Sequence, residues 1–249
     1  MLNIRRVNKE DREDIISIST TIWEGDDYIP NIVDKWIDDR EGEFTVAELN
    51  GQVVGFAKLT VLKPGDIWLE GIRVDKRYRG LGIGKEMTRY FIDKAKRMKA
   101  KSISLSTYIE NHESIKIIEK NGFKKSVSFK IFYGNDNYQS TKKAKKYKKV
   151  DNFDDISYIL DSNQMKLRKN YIAFDWTFIK LDKKLLEELI NRGDVYVLKE
   201  NNEVKSTLIL SNKMSKANGL SLSYIDGEDY YEDGLKFAVN KFKSKGYVN

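Results

Sequence analysis

A strand, a glycine-bearing turn and a helix follow one another at residues 68–96, WLEGIRVDKRYRGLGIGKEMTRYFIDKAK, and constrain the fold more than any other stretch. The apolar run ends at Val74, a basic turn follows, and Gly80, Gly82 and Gly84 open an amphipathic helix. Glycines let backbone N–H groups turn inward with no side chain in the way, and the positive end of the helix adds to them. The order makes an anion cradle of a size suited to a pyrophosphate.

The elements around the cradle follow from hydrophobic period. A short strand is expected at residues 3–7 and a helix at 8–23, with Ile15, Ile18, Ile22 and Trp23 at helical spacing behind an acidic first turn. A second helix starts after Pro30 and carries Ile32, Val33, Trp36 and Ile37. The period then becomes two. Residues 44–62 read as a hairpin about Asn50-Gly51, and Pro64-Gly65 turns the chain into a strand at 67–74. After the glycines, Ile83, Met87, Tyr90, Phe91, Ala95 and Met98 mark one face of a helix of about four turns. Residues 102–109 alternate as a half-buried strand, Asn111 caps a short helix that Gly122 ends, and 123–133 read as a last strand. The sum is a mixed α/β (α+β) fold, a mostly antiparallel sheet flanked by helices.

Composition narrows the chemistry. The 249 residues contain no cysteine and one histidine, so disulfides, thiolate metal sites and a cysteine nucleophile are excluded, and no metal site is expected. No apolar run approaches the ~20 residues of a membrane span, and the N-terminus lacks the apolar core of a signal peptide, so a cytoplasmic protein with no membrane partner is expected. The net charge of +7 would suit a polyanion, yet six lysines of the excess lie together between Lys142 and Lys149. That run reads as a solvated linker, with nucleic-acid attraction as the lesser reading.

A second unit begins near Val150 and echoes the first. Residues 197–210, VLKENNEVKSTLIL, align without gaps on 46–59, VAELNGQVVGFAKL. The same shift carries on to a strand at 220–225 and a helix at 234–245. Where the first unit has Arg77 to Gly84, the second reads EDYYEDGL, whose four carboxylates would repel phosphate. The expected organisation is a domain at 1–135, a Lys-rich linker at 136–149 and a degenerate or truncated copy at 150–249.

Arg79, Gly82 and Gly84 in RGLGIG match the R/Q-x-x-G-x-G/A signature of the GNAT superfamily of acyl-CoA-dependent N-acyltransferases, and residues 111–123, NHESIKIIEKNGF, resemble its later N-x-x-(A/S)…E-K-x-G-F segment. The resemblance covers residues 3–133. A dinucleotide-binding unit is disfavoured, because it places its glycines after a first parallel strand, whereas an antiparallel meander precedes this turn. The resemblance implies a GNAT fold with a second GNAT-like lobe, acetyl-CoA as co-substrate, and direct transfer to a small-molecule amine in a ternary complex. A homodimer is an open possibility.

Roles follow from the resemblance and from residue type. Backbone N–H groups of Arg79, Gly80, Leu81, Gly82, Ile83, Gly84 and Lys85 would hold the pyrophosphate, and Arg79 and Lys85 would add charge. By resemblance, Ile72 and Val74 offer backbone groups to the pantetheine arm. Asn111 would bond its amides, cap its helix, or do both. Glu70 is the carboxylate in an otherwise apolar strand, placed by alternation on one face with Ile72 and Val74. It reads either as the base that accepts the amine proton or as half of an ion pair. Many family members protonate the leaving thiolate with a tyrosine at the position of Ile118, which cannot do so; Ser114, Tyr108 or water are the candidates. His112 is expected to face solvent, and Trp23, Tyr28 and Trp36 to be core more than acceptor contacts. The acceptor reads as a free amino acid or another small amine. A non-catalytic acyl-CoA sensor is the rival reading.

Overall fold

The computed structural model describes residues 1–22, 25–134, 145–214 and 219–244. The chain divides into two compact units, Met1–Lys124 and Lys125–Asn249.

In the first unit, five strands lie in sequence order: β1 (Leu2–Arg6), β2 (Glu43–Leu49), β3 (Gln52–Lys63), β4 (Asp66–Val74) and β5 (Ser102–Leu105). Every neighbouring pair is antiparallel except β4 and β5, which are parallel. Helices α1 (Arg12–Ser19) and α2 (Ile29–Asp38) cover one face, burying Ile15, Ile18, Val33 and Trp36 against Phe44, Val46 and Phe56. Helix α3 (Ile83–Arg97) covers the other, packing Ile83, Met87, Phe91 and Ala95 on Ala57, Leu59, Ile67 and Leu69. The side chains of each strand alternate between these two cores. Helix α4 (His112–Lys120) follows β5.

Three expectations about the first 134 residues need correction. The strand read at 102–109 stops at Leu105, where its ladder with β4 ends. Residues 123–134 form no strand, although their apolar alternation favours one. A strand exists only through its ladder, and Phe129 instead stacks on Phe178 at 4.9 Å while the Ser126 carbonyl accepts from the Lys169 ammonium at 2.7 Å. The first helix is also shorter than its period suggests, beginning at Arg12 after a single turn at Lys9–Asp11; Trp23 lies outside the described residues.

The second unit holds a four-stranded antiparallel sheet in the order β11 (Ser221–Ile225), β10 (Glu203–Ser211), β9 (Val195–Glu200), β6 (Lys148–Lys149). Two lysines of the expected linker are therefore strand residues, while 135–144 lie outside the described residues. Between β6 and β9 come α5 (Asn163–Leu167), the hairpin β7 (Tyr171–Phe174) and β8 (Thr177–Lys180), and α6 (Lys183–Asn191). Helix α7 (Tyr231–Ser244) follows β11 and packs Phe237 and Ala238 on Tyr196, Leu208 and Leu210.

The irregularities of the two sheets coincide. Asn50 and Gly51 turn the first hairpin with φ of 52° and 83°, and Asn201 and Asn202, 151 positions later, turn the second with 52° and 64°. β3 carries an extra residue at Val54 and β10 one at Lys205, again 151 apart. β4 bulges at Gly71 and Ile72, and β11 bulges at Ser223, the counterpart of Ile72.

Candidate active site

The site grows from the bulge in β4. Lys58 opposes Glu70 and Phe56 opposes Arg73, so Gly71 and Ile72 together face the single residue Ala57. Gly71 takes φ of +68°, and a Cβ there would lie 2.6 Å from the Trp36 ring. Only glycine lets α2 seat on the strand at this point. The extra residue resets the alternation of the strand. Ile72 and Val74 therefore join the α3-side core, while Glu70 shares the α1/α2 face with Lys58 and Arg73. The expectation that Glu70 shares a face with Ile72 and Val74 is overturned, because strict period two does not survive a bulge.

The same strand opens toward the cradle. The β4–β5 ladder ends at Leu69 and Leu105, so the backbone of residues 70–74 has no strand partner on that side among the described residues. Past Val74 the Asp75 N–H donates to the Val54 carbonyl at 2.9 Å, and the Asp75 carboxylate caps the turn at Lys76–Tyr78 by accepting from the Arg77 N–H at 2.9 Å. The Arg77 guanidinium, hydrogen-bonded to Asp75, holds that carboxyl below the usual range, so its charge is neutralised beside the cradle. Arg79 is extended, and Gly80 and Gly82 take φ of +80° and +79° on either side of the 63% exposed Leu81. The first bond within α3 runs from Glu86 N–H to the Gly82 carbonyl at 3.0 Å, leaving the preceding N–H groups without an intrahelical acceptor. A Cβ on Gly80 or Gly82 would meet nothing within 4 Å, so the space beside both is open. A Cβ on Gly84 would stand 3.9 Å from Val74 Cγ2 and 4.0 Å from Ile72 Cγ2, which puts the first turn of α3 against the end of β4. Arg79 and Lys85 are exposed. Open N–H groups, a helix N-terminus and two cations beside a free strand edge fit a phosphate-bearing ligand with a chain that runs along β4.

Glu70 is half-buried, and the Thr60 hydroxyl donates to its Oε1 at 2.6 Å. Beside it the Arg73 guanidinium donates to Asp27 from Nε at 2.8 Å and lies 5.7 Å from the Tyr28 ring. Asp27 is buried, so this ion pair ties the segment before α2 to the bulge. Tyr28 and Trp36 meet edge to face at 6.2 Å, and Trp36 is buried as expected.

Asn111 is the N-cap of α4, its side chain accepting from the Ser114 N–H at 3.2 Å, and its own N–H donates to the Tyr108 carbonyl at 3.0 Å. Tyr108, Asn111, Ser114 and Ile118 thus belong to one connected segment after β5. Tyr108 is 57% exposed, His112 faces solvent, and Ser114 and Ile118 are half-buried. Lys58, Thr60, Asp27 and Arg73 escaped the reading of the sequence. Gly71 inside a strand pattern was the one signal that could have marked the bulge and, through it, the face that Arg73 takes.

The sequence model of the Acetyltransferase (GNAT) family matches residues 10–123. Over 81 residues the chain is 36% identical to a histidine N-acetyltransferase of Xenopus tropicalis, covering 32% of this chain and 25% of that protein. It is 35% identical over 81 residues to a spermine/spermidine N(1)-acetyltransferase of Bacillus subtilis (strain 168), covering 29% of this chain and 53% of that one. The chain thus spans a quarter of the frog relative and about half of the bacterial one. Among solved structures, the aminoglycoside 6′-N-acetyltransferase AAC(6′)-Ih of Acinetobacter baumannii is 18% identical with a TM-score of 0.44, covering 54% of this chain and all of that one. The likeness to the GNAT acetyltransferase family is thus carried by residues 10–123.

Proposed function

We propose that this protein transfers the acetyl group of acetyl-CoA to a primary amine of a small molecule by direct attack. The observation that carries the reading is the cradle at Arg79 to Lys85 opening onto the free edge of β4, with Glu70 projecting from that strand's other face. Relatives named for histidine and for spermine or spermidine support a small amine acceptor, a free amino acid included.

The thioester supplies an activated acetyl carbon. N–H groups of residues 79–85 hold the pyrophosphate with Arg79 and Lys85, while Ile72, Val74 and Asn111 serve the pantetheine arm. Glu70 takes the proton of the acceptor ammonium, directly or through a water, and Thr60 holds its carboxylate in place. The neutral amine attacks the carbonyl carbon and the C–N bond forms, the nitrogen gives its second proton to water, the C–S bond breaks, and the thiolate leaves with its electron pair. The proton that quenches it comes from Tyr108, Ser114 or water. A panel of amines assayed for thiol release tests the activity and the acceptor class together. Glu70→Gln is expected to lower kcat about 10²-fold or more at neutral pH; a variant that keeps full kcat across pH removes Glu70 from the mechanism.

One observation favours a second reading. Ile118 offers no acid, as a non-catalytic acyl-CoA sensor would permit; such a protein would gain melting temperature with acetyl-CoA yet release no thiol with any amine.

The second unit is proposed to be a degenerate copy that binds no coenzyme. Three coincident irregularities at a constant spacing of 151 support the duplication. The counterpart of Glu70 is Ser221, and that of the cradle carries Glu228, Asp229, Glu232 and Asp233. The carbonyls of Ser223 and Ile225, counterparts of Ile72 and Val74, already accept from Arg168 at 3.2 Å and Gln164 at 2.9 Å. In this unit side chains from and just after α5 occupy the strand edge that β4 leaves free.

A further inference from the structure

Arg168 follows α5 in the second unit, half-buried against the edge of β11. One of its N–H donors bonds the Ser223 carbonyl at 3.2 Å, and its Cζ lies 5.8 Å from the centre of the Tyr224 ring. Neither contact answers its charge with a carboxylate. The groups close enough to act on the guanidinium are the phenols of Tyr224 and Tyr231, with no carboxylate among the described residues. Burial disfavours its charge. The half-buried Arg5 and Arg73 of the first unit differ on this point, since Asp11 and Asp27 accept from them at 2.8 Å. A guanidinium carries more N–H donors than one carbonyl can use. Those of Arg168 beyond the Ser223 bond have no protein acceptor among the described residues. On the same edge, the Ser223 hydroxyl and Gln164 Oε1 are buried with no hydrogen-bond partner, although Gln164 Nε2 donates to the Ile225 carbonyl at 2.9 Å. Plugging the edge of β11 thus accounts for one bond of Arg168 and leaves its charge unanswered.

An apolar surface adjoins the cation. Tyr231 begins α7 and Leu235 follows one turn later on the same face, both exposed, and Leu167, the residue before Arg168, is exposed as well. Glu228, Asp229, Glu232 and Asp233 lie around the start of α7. They repel a phosphate or a polyanion more strongly than a single carboxylate, which has one charge to place on the guanidinium. We propose that Arg168, with Tyr231 and Leu235 beside it, forms a binding site in the second unit for a small molecule that joins one carboxylate to an apolar body. The carboxylate takes the unused N–H donors in a forked, charge-assisted pair, and the apolar body covers Tyr231 and Leu235. The site is separate from the proposed acetyl transfer and does not depend on it.

The test is a ligand-observed NMR titration of the full chain with hexanoate, with hexanol as the uncharged control. Hexanoate should bind saturably with a Kd of about 1–10 mM, the range for a fragment of this size. Hexanol should bind at least about tenfold more weakly, since it forms no charge-assisted pair. Arg168→Gln, which keeps a donor for the Ser223 carbonyl, should raise the Kd for hexanoate roughly tenfold or more, and Arg168→Lys should raise it less. If Arg168→Gln does not fold, Leu235→Glu at its exposed position puts a carboxylate beside the ligand and should give the same loss. Saturating acetyl-CoA should leave the Kd for hexanoate unchanged. The proposal is overturned by an absence of saturable binding, by a folded Arg168→Gln or Leu235→Glu with wild-type affinity, by hexanol binding as well as hexanoate, or by displacement of hexanoate by acetyl-CoA.

Discussion

At the scale of single residues, two glycines of similar backbone conformation serve different ends. Gly71 and Gly82 have φ of +68° and +79°, and an alanine at either pays about 1 kcal/mol for the left-handed region. Only Gly71 is also packed, with the Trp36 ring 2.6 Å from where a Cβ would stand, against nothing within 4 Å at Gly82. Overpacking adds about 1–3 kcal/mol. Gly71→Ala should therefore lose about 2–4 kcal/mol in a denaturant titration and Gly82→Ala about 1; equal losses would mean that Trp36 does not depend on the bulge. Gly82 stood out in the sequence as part of a phosphate-type turn, and Gly71, an isolated glycine in a strand pattern, could have been read as a bulge. What sat above Gly71 did not, because Trp36 lies 35 positions away and reaches it only through the packing of α2 on the sheet.

At the scale of elements, the cradle was the most legible part of the molecule. Strand, capped turn, glycines and helix are set by residues within a few positions of one another, and the structure forms them where the sequence places them. Arg79 projects from this turn into solvent with its positive charge beside open N–H groups. Arg79→Ala should raise the Kd for acetyl-CoA roughly tenfold with the melting temperature of the free protein unchanged, as expected for one charge-assisted phosphate contact. An unchanged Kd by calorimetry would move the pyrophosphate elsewhere. The elements around β5 were less legible. Residues 106–109 and 123–133 carry strand-like alternation but lack a ladder, and period alone cannot say whether a partner strand is present.

At the scale of the whole molecule, the chain is expected to bind one acetyl-CoA. Calorimetry should give one site per chain, and Arg79→Ala should weaken that site with no second one remaining; two equivalent sites would show that the edge of β11 is not closed by Arg168 and Gln164. The proposed repeat rests in the sequence on the alignment of 46–59 with 197–210, where the fate of the proposed second copy was only half visible. Its four carboxylates could be read directly, whereas the occupied carbonyls of Ser223 and Ile225 required α5 to be brought to β11 from 55 or more positions away. The sequence by itself determined the period of each element, the turn at Asn50-Gly51, the glycine cradle and the likeness of the first unit to the GNAT family, because these depend on neighbours along the chain. The tertiary structure alone decided which face Glu70 takes, that Thr60 bonds it there, and that the β4–β5 ladder ends at Leu69 while the carbonyls of Ser223 and Ile225 on β11 are occupied. Register and packing couple residues far apart in sequence, and a single extra residue in one strand reverses every side chain beyond it.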